Sequence, residues 1–510
     1  MVEETVKRTA AVVTAVLVAG LAPAVPAAAR TGLSWTPCAE PSLAQLGLEC
    51  ATLAVPVDHT RPRGRKITLA LSRKKAVRSQ GVLVVNPGGP GITGRSVAGT
   101  VAGVMPADLA ASYDIVGIDP RGVGASDPSL SCDEGYFTPP WPDPVPANPG
   151  QELRLAARPL GYALKCAARY GWLLPHMSSE DSARDLDDVR QALGQRTIDF
   201  LGYGYGTYVG AVYGTLFPGK LRRAVFDSVA RPDADWYRHY VEQEDPGFDA
   251  RAKDFFAWIA GQDAGYHLGT TAEAVSAAYY GARSAVRDKP AAGVVGPFEF
   301  EATFHNVAWE SRLWPFLAGT LAAYRRNGDE QALLTAYQAL AAHHGDNDYA
   351  AFTAVQCADT NWPRDWSRWH ADASRLHATA PFATWNNTWY LAPCAFWPPF
   401  PRHAVTITGT GLPPALIVHA TDDIALAYRD ARRLHATVPG SRLVTEQGGL
   451  DPAVSFLRAD PCVDAEVTAY LAAGTLPAAD VSCAADQGRK ANGRFSLGVG
   501  EPSSFRWLRR

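Results

Sequence analysis

Three continuous apolar stretches, "GVLVVN", "YDIVGID" and "TIDFLGY", each run into a turn crowded with glycine: "PGGPG", "PRGVGASDP" and "GYGTYVG". An uninterrupted run of this kind marks a strand buried on both faces, and such strands belong to parallel sheets covered by helices on each side. The segment "SSEDSARDLDDVRQALG" supplies one such helix. Its Ala183, Leu186, Val189 and Leu193 share a face, Ser178 and Asp181 form a capping box, and Gly194 ends it. "TYVGAVYGTLF" reads as the helix after the third run and "LRRAVFDSV" as the strand after that, while "KITLALSRKKA" is an earlier strand. The alternation predicts an α/β fold with a mostly parallel sheet and helices on both faces.

The pattern changes at about residue 235. From Asp235 to Ala404 apolar residues recur at helical spacing among ten tryptophans, which reads as an inserted helical lid. Those tryptophans fit either a helical core or an aromatic ligand pocket. Strand and helix then alternate again through "PALIVHATDD", "AYRDARRLHATVPG", "SRLVTEQGG" and "CVDAEVTAYLAAG". The sequence therefore divides into a signal peptide (1–29), a first part of the α/β core (30–234), the lid (235–404), a second part of the core (405–485) and a Gly/Ser/Arg-rich flexible tail (486–510).

The signal rests on Lys7 and Arg8, an apolar run from about Thr9 to Leu21, breaks at Pro23 and Pro26, and small residues Ala27 to Ala29. The run is short of the ~20 residues of a spanning helix. Eight cysteines agree with export into an oxidising compartment, and sequence order pairs them locally as Cys38–Cys50, Cys132–Cys166, Cys357–Cys394 and Cys462–Cys483. Their spacings are not those of a zinc site, and no metal or other cofactor is expected. A net charge of -3 with no block of Lys or Arg argues against a nucleic-acid partner and against stable membrane association once the signal is removed. A small-molecule or peptide ligand is the expected partner.

The stretches "NPGGPG", "YDIVGIDPRGVGASDP", "SARDLDDVRQALG" and "LGYGYGTYVGAVYGTLFP", with Cys357 in "AVQCAD" and Cys394 in "LAPCAFWP", occur in one order. This collinear set resembles the secreted tripeptidyl aminopeptidase-like, prolyl iminopeptidase-related branch of the α/β-hydrolase fold, from about Trp35 to Cys483. The resemblance implies a Gly-x-Ser-x-Gly nucleophile elbow, and the frame here is Gly202-Tyr203-Gly204-Tyr205-Gly206, with Gly204 at the serine position. It implies an oxyanion hole from the N–H of Tyr205 and from Gly88 or Gly89. The acid aligns with Asp423 in "TDD", beside Asp422. The histidine position aligns with Leu450, and no histidine follows His435.

Two of three triad positions thus carry residues unable to do the family's chemistry, whose loss costs on the order of 10⁶ in kcat in a serine protease. The expectation is a secreted enzyme repurposed for cyclisation, elimination, isomerisation or water addition on a small substrate, secondary metabolites included, without an acyl-enzyme. A pseudoenzyme that binds a peptide or small ligand is the alternative, and an ordinary tripeptidyl aminopeptidase-like serine hydrolase is the third reading. Asp423 is the surviving acid or base, or else a cap at its strand end; Asp451 could replace the base or form only a turn. Tyr203 and Tyr205 flank the site as possible donors of a hydrogen bond or proton. Asp359, like acidic lid groups of related aminopeptidases, is expected to hold a peptide amino terminus.

Overall fold

The computed structural model describes residues 32–398 and 404–485. The expected signal peptide and tail lie outside the described residues. Ten strands form one sheet in the order β1-β2-β3-β5-β4-β6-β7-β8-β9-β10. They are β1 Thr36–Pro37, β2 Glu49–Pro56, β3 Lys66–Lys74, β4 Val82–Asn86, β5 Asp114–Asp119, β6 Ile198–Tyr203, β7 Leu221–Asp227, β8 Leu416–Ala420, β9 Arg442–Gln447 and β10 Val481–Ala484. β1, β2, β3 and β5 pair antiparallel in succession, and every pairing from β5 through β4 to β10 is parallel.

The reason for the continuous apolar runs is visible in how each strand divides its side chains. Val84, Phe200, Phe226 and Ile417 enter the core on one face of the sheet. Their neighbours Leu83, Val85, Leu201, Val225 and Val418 enter the core on the other. Successive residues alternate between faces, and both faces are covered, so the strands are mostly apolar and their buried polar residues, such as Asp199 and His419, are hydrogen-bonded within the protein. The helix Ser179–Ala192 begins at the capping box of Ser178 and Asp181 and ends at Leu193, one residue before Gly194.

Every helix and strand assigned between β7 and β8 is helical, from Trp236 to Phe396. These helices build a third core around Phe255, Tyr279, Phe300, Phe304 and Leu317. Most of the tryptophans pack: Trp389 and Trp397 are fully buried, and Trp366 stacks on Trp389 at 5.0 Å. The four disulfides join the cysteines in the local order given above. Among the described residues no helix is long and apolar enough to cross a membrane.

Candidate active site

β6 ends at Tyr203 and the helix Tyr205–Leu216 starts two residues later, so the chain reverses within Gly204 alone. Its backbone sits at φ 53° and ψ -123°, a combination costly for a residue with a side chain. The turn is pinned: Gly204 N donates to Asp227 O at 2.9 Å, and Thr207 Oγ1 donates to Gly204 O at 2.6 Å. A Cβ on Gly202 would lie 2.7 Å from Gly206 O, and one on Gly206 would lie 2.8 Å from Asn86 O. The outer glycines are therefore demanded by close packing. At Gly204 the nearest atom to an added Cβ is Leu426 Cδ1 at 3.5 Å, so the apex has room for a side chain it does not carry.

The turn after β4 closes over the same point. Gly88 lies against the elbow, its would-be Cβ 2.5 Å from Tyr203 O, and its N–H is taken by Asn86 Oδ1 at 2.9 Å. Gly89, Gly204, Tyr203 and Tyr205 line one cavity of ≈190 Å³, whereas Gly88 does not. Tyr205 opens its helix, and N–H groups of a first turn have no acceptor within the helix. The Tyr205 N–H and the Gly89 turn can thus face a developing negative charge. The Tyr203 hydroxyl is directed elsewhere and donates to Ser455 O at 3.0 Å.

Asp423 sits in the loop after β8, where Oδ1 accepts from Ala425 N and Leu426 N, both at 3.0 Å. Oδ2 is buried and has no partner among the described residues. Burial pushes this carboxyl up to about 7, against the backbone donor of Leu426 and the charge of Arg251. Asp423 does not line the cavity, and its Oδ1 caps the turn at the strand end. Asp422 is exposed. Asp451 accepts from Ser311 N at 2.9 Å and Ser311 Oγ at 2.6 Å, tying the lid to the loop after β9, and is likewise absent from the cavity wall.

Leu450 packs against the lid core and also stays off the cavity. Its carbonyl accepts from Arg251 Nη1 at 3.2 Å, and Arg251 Nη2 donates to Asp422 O at 2.5 Å. One buried lid arginine thereby clamps the acid loop to the loop that carries Leu450. His419 of β8 is occupied by structure: Nδ1 accepts from Val229 N at 3.0 Å and Nε2 donates to Leu426 O at 2.8 Å. Burial holds it down to about 4, in the neutral form.

Asp359 is buried, but it does not line this cavity, contrary to its expected role toward a peptide amino terminus. Both its oxygens are used within the protein. Oδ1 accepts from Ser179 N at 2.6 Å, and Oδ2 accepts from Ser179 Oγ at 2.7 Å and Trp236 Nε1 at 3.2 Å.

The lid adds cavity residues that were not read from the sequence: His239, Glu244, His305, Gln356 and Asn387. His239 Nε2 faces Glu244 Oε2 at 3.4 Å across the π-helical turn Tyr240–Glu244. Burial lowers His305 to about 4. Asn387 Nδ2 donates to Asp245 Oδ1 at 2.8 Å. No local motif announces these residues, because lid helices meet through tertiary packing and not through a turn of fixed wording. A π turn at a cavity wall is the nearest thing to a signal.

A mostly parallel sheet with a strained strand-to-helix elbow, facing a glycine turn under a helical lid, defines an α/β-hydrolase. The comparisons narrow the class. A family model described as TAP-like protein matches residues 380–483. The chain is 40% identical over 481 residues to the tripeptidyl aminopeptidase of Streptomyces lividans, covering 91% of this chain and 89% of that one. It is 30% identical over 483 residues to the serine protease Hip1 of Mycobacterium tuberculosis, covering 88% and 91%. The proline iminopeptidase of Mycobacterium smegmatis, a solved structure, is similar at 13% identity and a TM-score of 0.36 over 82% of this chain and 97% of that one. The chain belongs to the tripeptidyl aminopeptidase-like family of α/β-hydrolases.

Proposed function

We propose that this chain is an exported member of the family that takes a small-molecule or peptide ligand into the lid-covered cavity and acts on it without an acyl-enzyme. The observation that carries the reading is Gly204: the elbow backbone keeps its strained turn and has space for a side chain, yet presents none. Two features support it. Asp423 Oδ2 has no partner among the described residues, where a triad histidine would donate, and the loop after β9 carries Leu450 in a stretch without histidine. The remaining equipment is an oxyanion corner at Tyr205 and Gly89 within walls of Phe, Trp, Asn and His. It suits reactions in which negative charge gathers on one oxygen as a proton moves: elimination, isomerisation, cyclisation or water addition.

The second reading is ligand binding without turnover, favoured by the withdrawal of Asp423 from the cavity wall. The test of the main proposal is a serine-directed fluorophosphonate probe together with tripeptide anilides. Neither labelling at the elbow nor anilide release is expected, and labelling within 202–206 would overturn the proposal. A substrate turned over by the purified protein separates the main proposal from binding alone.

A further inference from the structure

The cavity at Gly204 shares a wall with a second one. Tyr205 and Trp236 line the first, of ≈190 Å³, while Ser179, Tyr208 and Asp359 line the second, of ≈330 Å³. Across that wall runs an unbroken set of hydrogen bonds. Tyr205 Oη and Ser179 Oγ are 2.5 Å apart, and Ser179 Oγ donates to Asp359 Oδ2 at 2.7 Å. Ser179 has one hydroxyl proton and spends it on Asp359, so the Tyr205 hydroxyl must be the donor to Ser179. The phenol oxygen is left with its lone pairs and no further proton to give.

The surroundings fix each member. Ser179 opens the helix Ser179–Ala192 beside its capping box, and Ser179 N and Trp236 Nε1 hold the Asp359 carboxylate from two further directions. Burial raises Asp359 to about 6, with the charge of Asp181 adding to it and the donors of Ser179 and Trp236 opposing. The other charged groups of the second cavity include His59, His176, Glu180 and Arg184. Tyr205 itself is pushed well above its ordinary value by burial and by Asp359, so a tyrosinate is not a resting state.

We propose that Tyr205, Ser179 and Asp359 form a proton relay in which Tyr205 is the group that takes a proton from the ligand and Asp359 is the base that finally holds it. The ligand's C–H or O–H proton passes to Tyr205 Oη, the Tyr205 proton to Ser179 Oγ, and the Ser179 proton to Asp359 Oδ2. The electron pair freed on the ligand moves to the oxygen facing the Tyr205 and Gly89 N–H groups, and no oxidant or second reactant is needed. Tyr205 is the catalytic residue; Ser179 and Asp359 act through it. The ligand class is a carbonyl compound with an acidic proton near the carbonyl. This rests on the reading that the cavity works without an acyl-enzyme.

The test uses 5-nitrobenzisoxazole, an apolar probe whose ring opens when a base removes its C3 proton: the C–H pair forms the nitrile and the N–O pair leaves on the phenolate oxygen. The full chain is expected to open it faster than buffer, with a rate that rises through a single ionisation near pH 6. Tyr205→Phe and Asp359→Asn should each lose at least about tenfold, and Ser179→Ala should lose as much, with all three retaining the wild-type circular dichroism. A purely structural Asp359 would leave the pH profile in place once folding is controlled for. Opening no faster than buffer, or equal rates in wild type and the folded Tyr205→Phe protein, would overturn the relay. Release of tripeptide anilides by the wild-type protein sinks the reading beneath it and leaves the comparison of probe rates between wild type and Tyr205→Phe unaffected, so the two failures are distinguishable.

Discussion

At the scale of single residues, Gly204 and Leu450 are separable from the backbone that presents them. The elbow already holds φ 53°, and a Cβ there meets nothing closer than 3.5 Å. Asp423 still offers Oδ2. Gly204→Ser together with Leu450→His should therefore gain tripeptide-anilide hydrolysis by at least about 100-fold over either single variant, since nucleophile and base act as a unit. Initial rates with the three proteins decide this, and equal rates would mean that position 450 does not reach the elbow. Asp423 also governs a pH effect. Its carboxyl is raised to about 7 in the folded protein from 3.8, so the folded state holds this proton more tightly than the unfolded one. The stability it contributes is complete below about pH 4 and is lost as the pH rises through about 7. Asp423→Asn should have little effect on the urea midpoint at pH 4 and gain on the wild type by roughly 1–3 kcal/mol at pH 8.

At the scale of elements, strands and helices could be read from sequence because their signals are local. "TIDFLGY" alternates its side chains into two cores, and "SSEDSARDL" carries its cap within four residues. The strands β1, β2 and β10 were not read: a two- or four-residue strand at a sheet edge has no period to show, and β2 buries only Ala51 and Val55, four residues apart. The elbow and the glycine turn were legible for the same local reason, and the lid side of the cavity was not. Asp359 was misplaced because its carboxylate is claimed by Ser179, 180 positions away in the chain. Arg251 shows how such distant joints hold the site: it reaches from the lid helix Asp245–Ala260 to Asp422 O and Leu450 O. Arg251→Met keeps the apolar stem and removes both donors, and should cost about 2–4 kcal/mol in urea unfolding. Hydrogen exchange should rise in both loops, and loops as protected as in the wild type would show that packing alone holds them.

At the scale of the whole molecule, the lid is spliced between adjacent strands β7 and β8, so both of its ends are anchored next to the elbow. Cys357 and Cys394 staple it internally, 37 positions apart in the chain. Replacing both by alanine should cost about 3–4 kcal/mol by loop closure. The loss should appear as an earlier denaturation of tryptophan fluorescence, because the stacked rings of Trp362, Trp366, Trp369 and Trp389 lie close by in sequence. Simultaneous, unshifted unfolding would assign the lid's stability to its packing.

The four disulfides share one further property. Each cysteine is joined to the next one along the chain, 38 to 50, 132 to 166, 357 to 394 and 462 to 483. Eight cysteines admit on the order of 100 pairings, most of which trap a chain that oxidises after it is complete. A polypeptide that emerges N-terminus first into an oxidising space meets only one candidate partner at each step. Each bond can close before the next thiol arrives, and correct oxidation becomes a matter of timing and not of error correction.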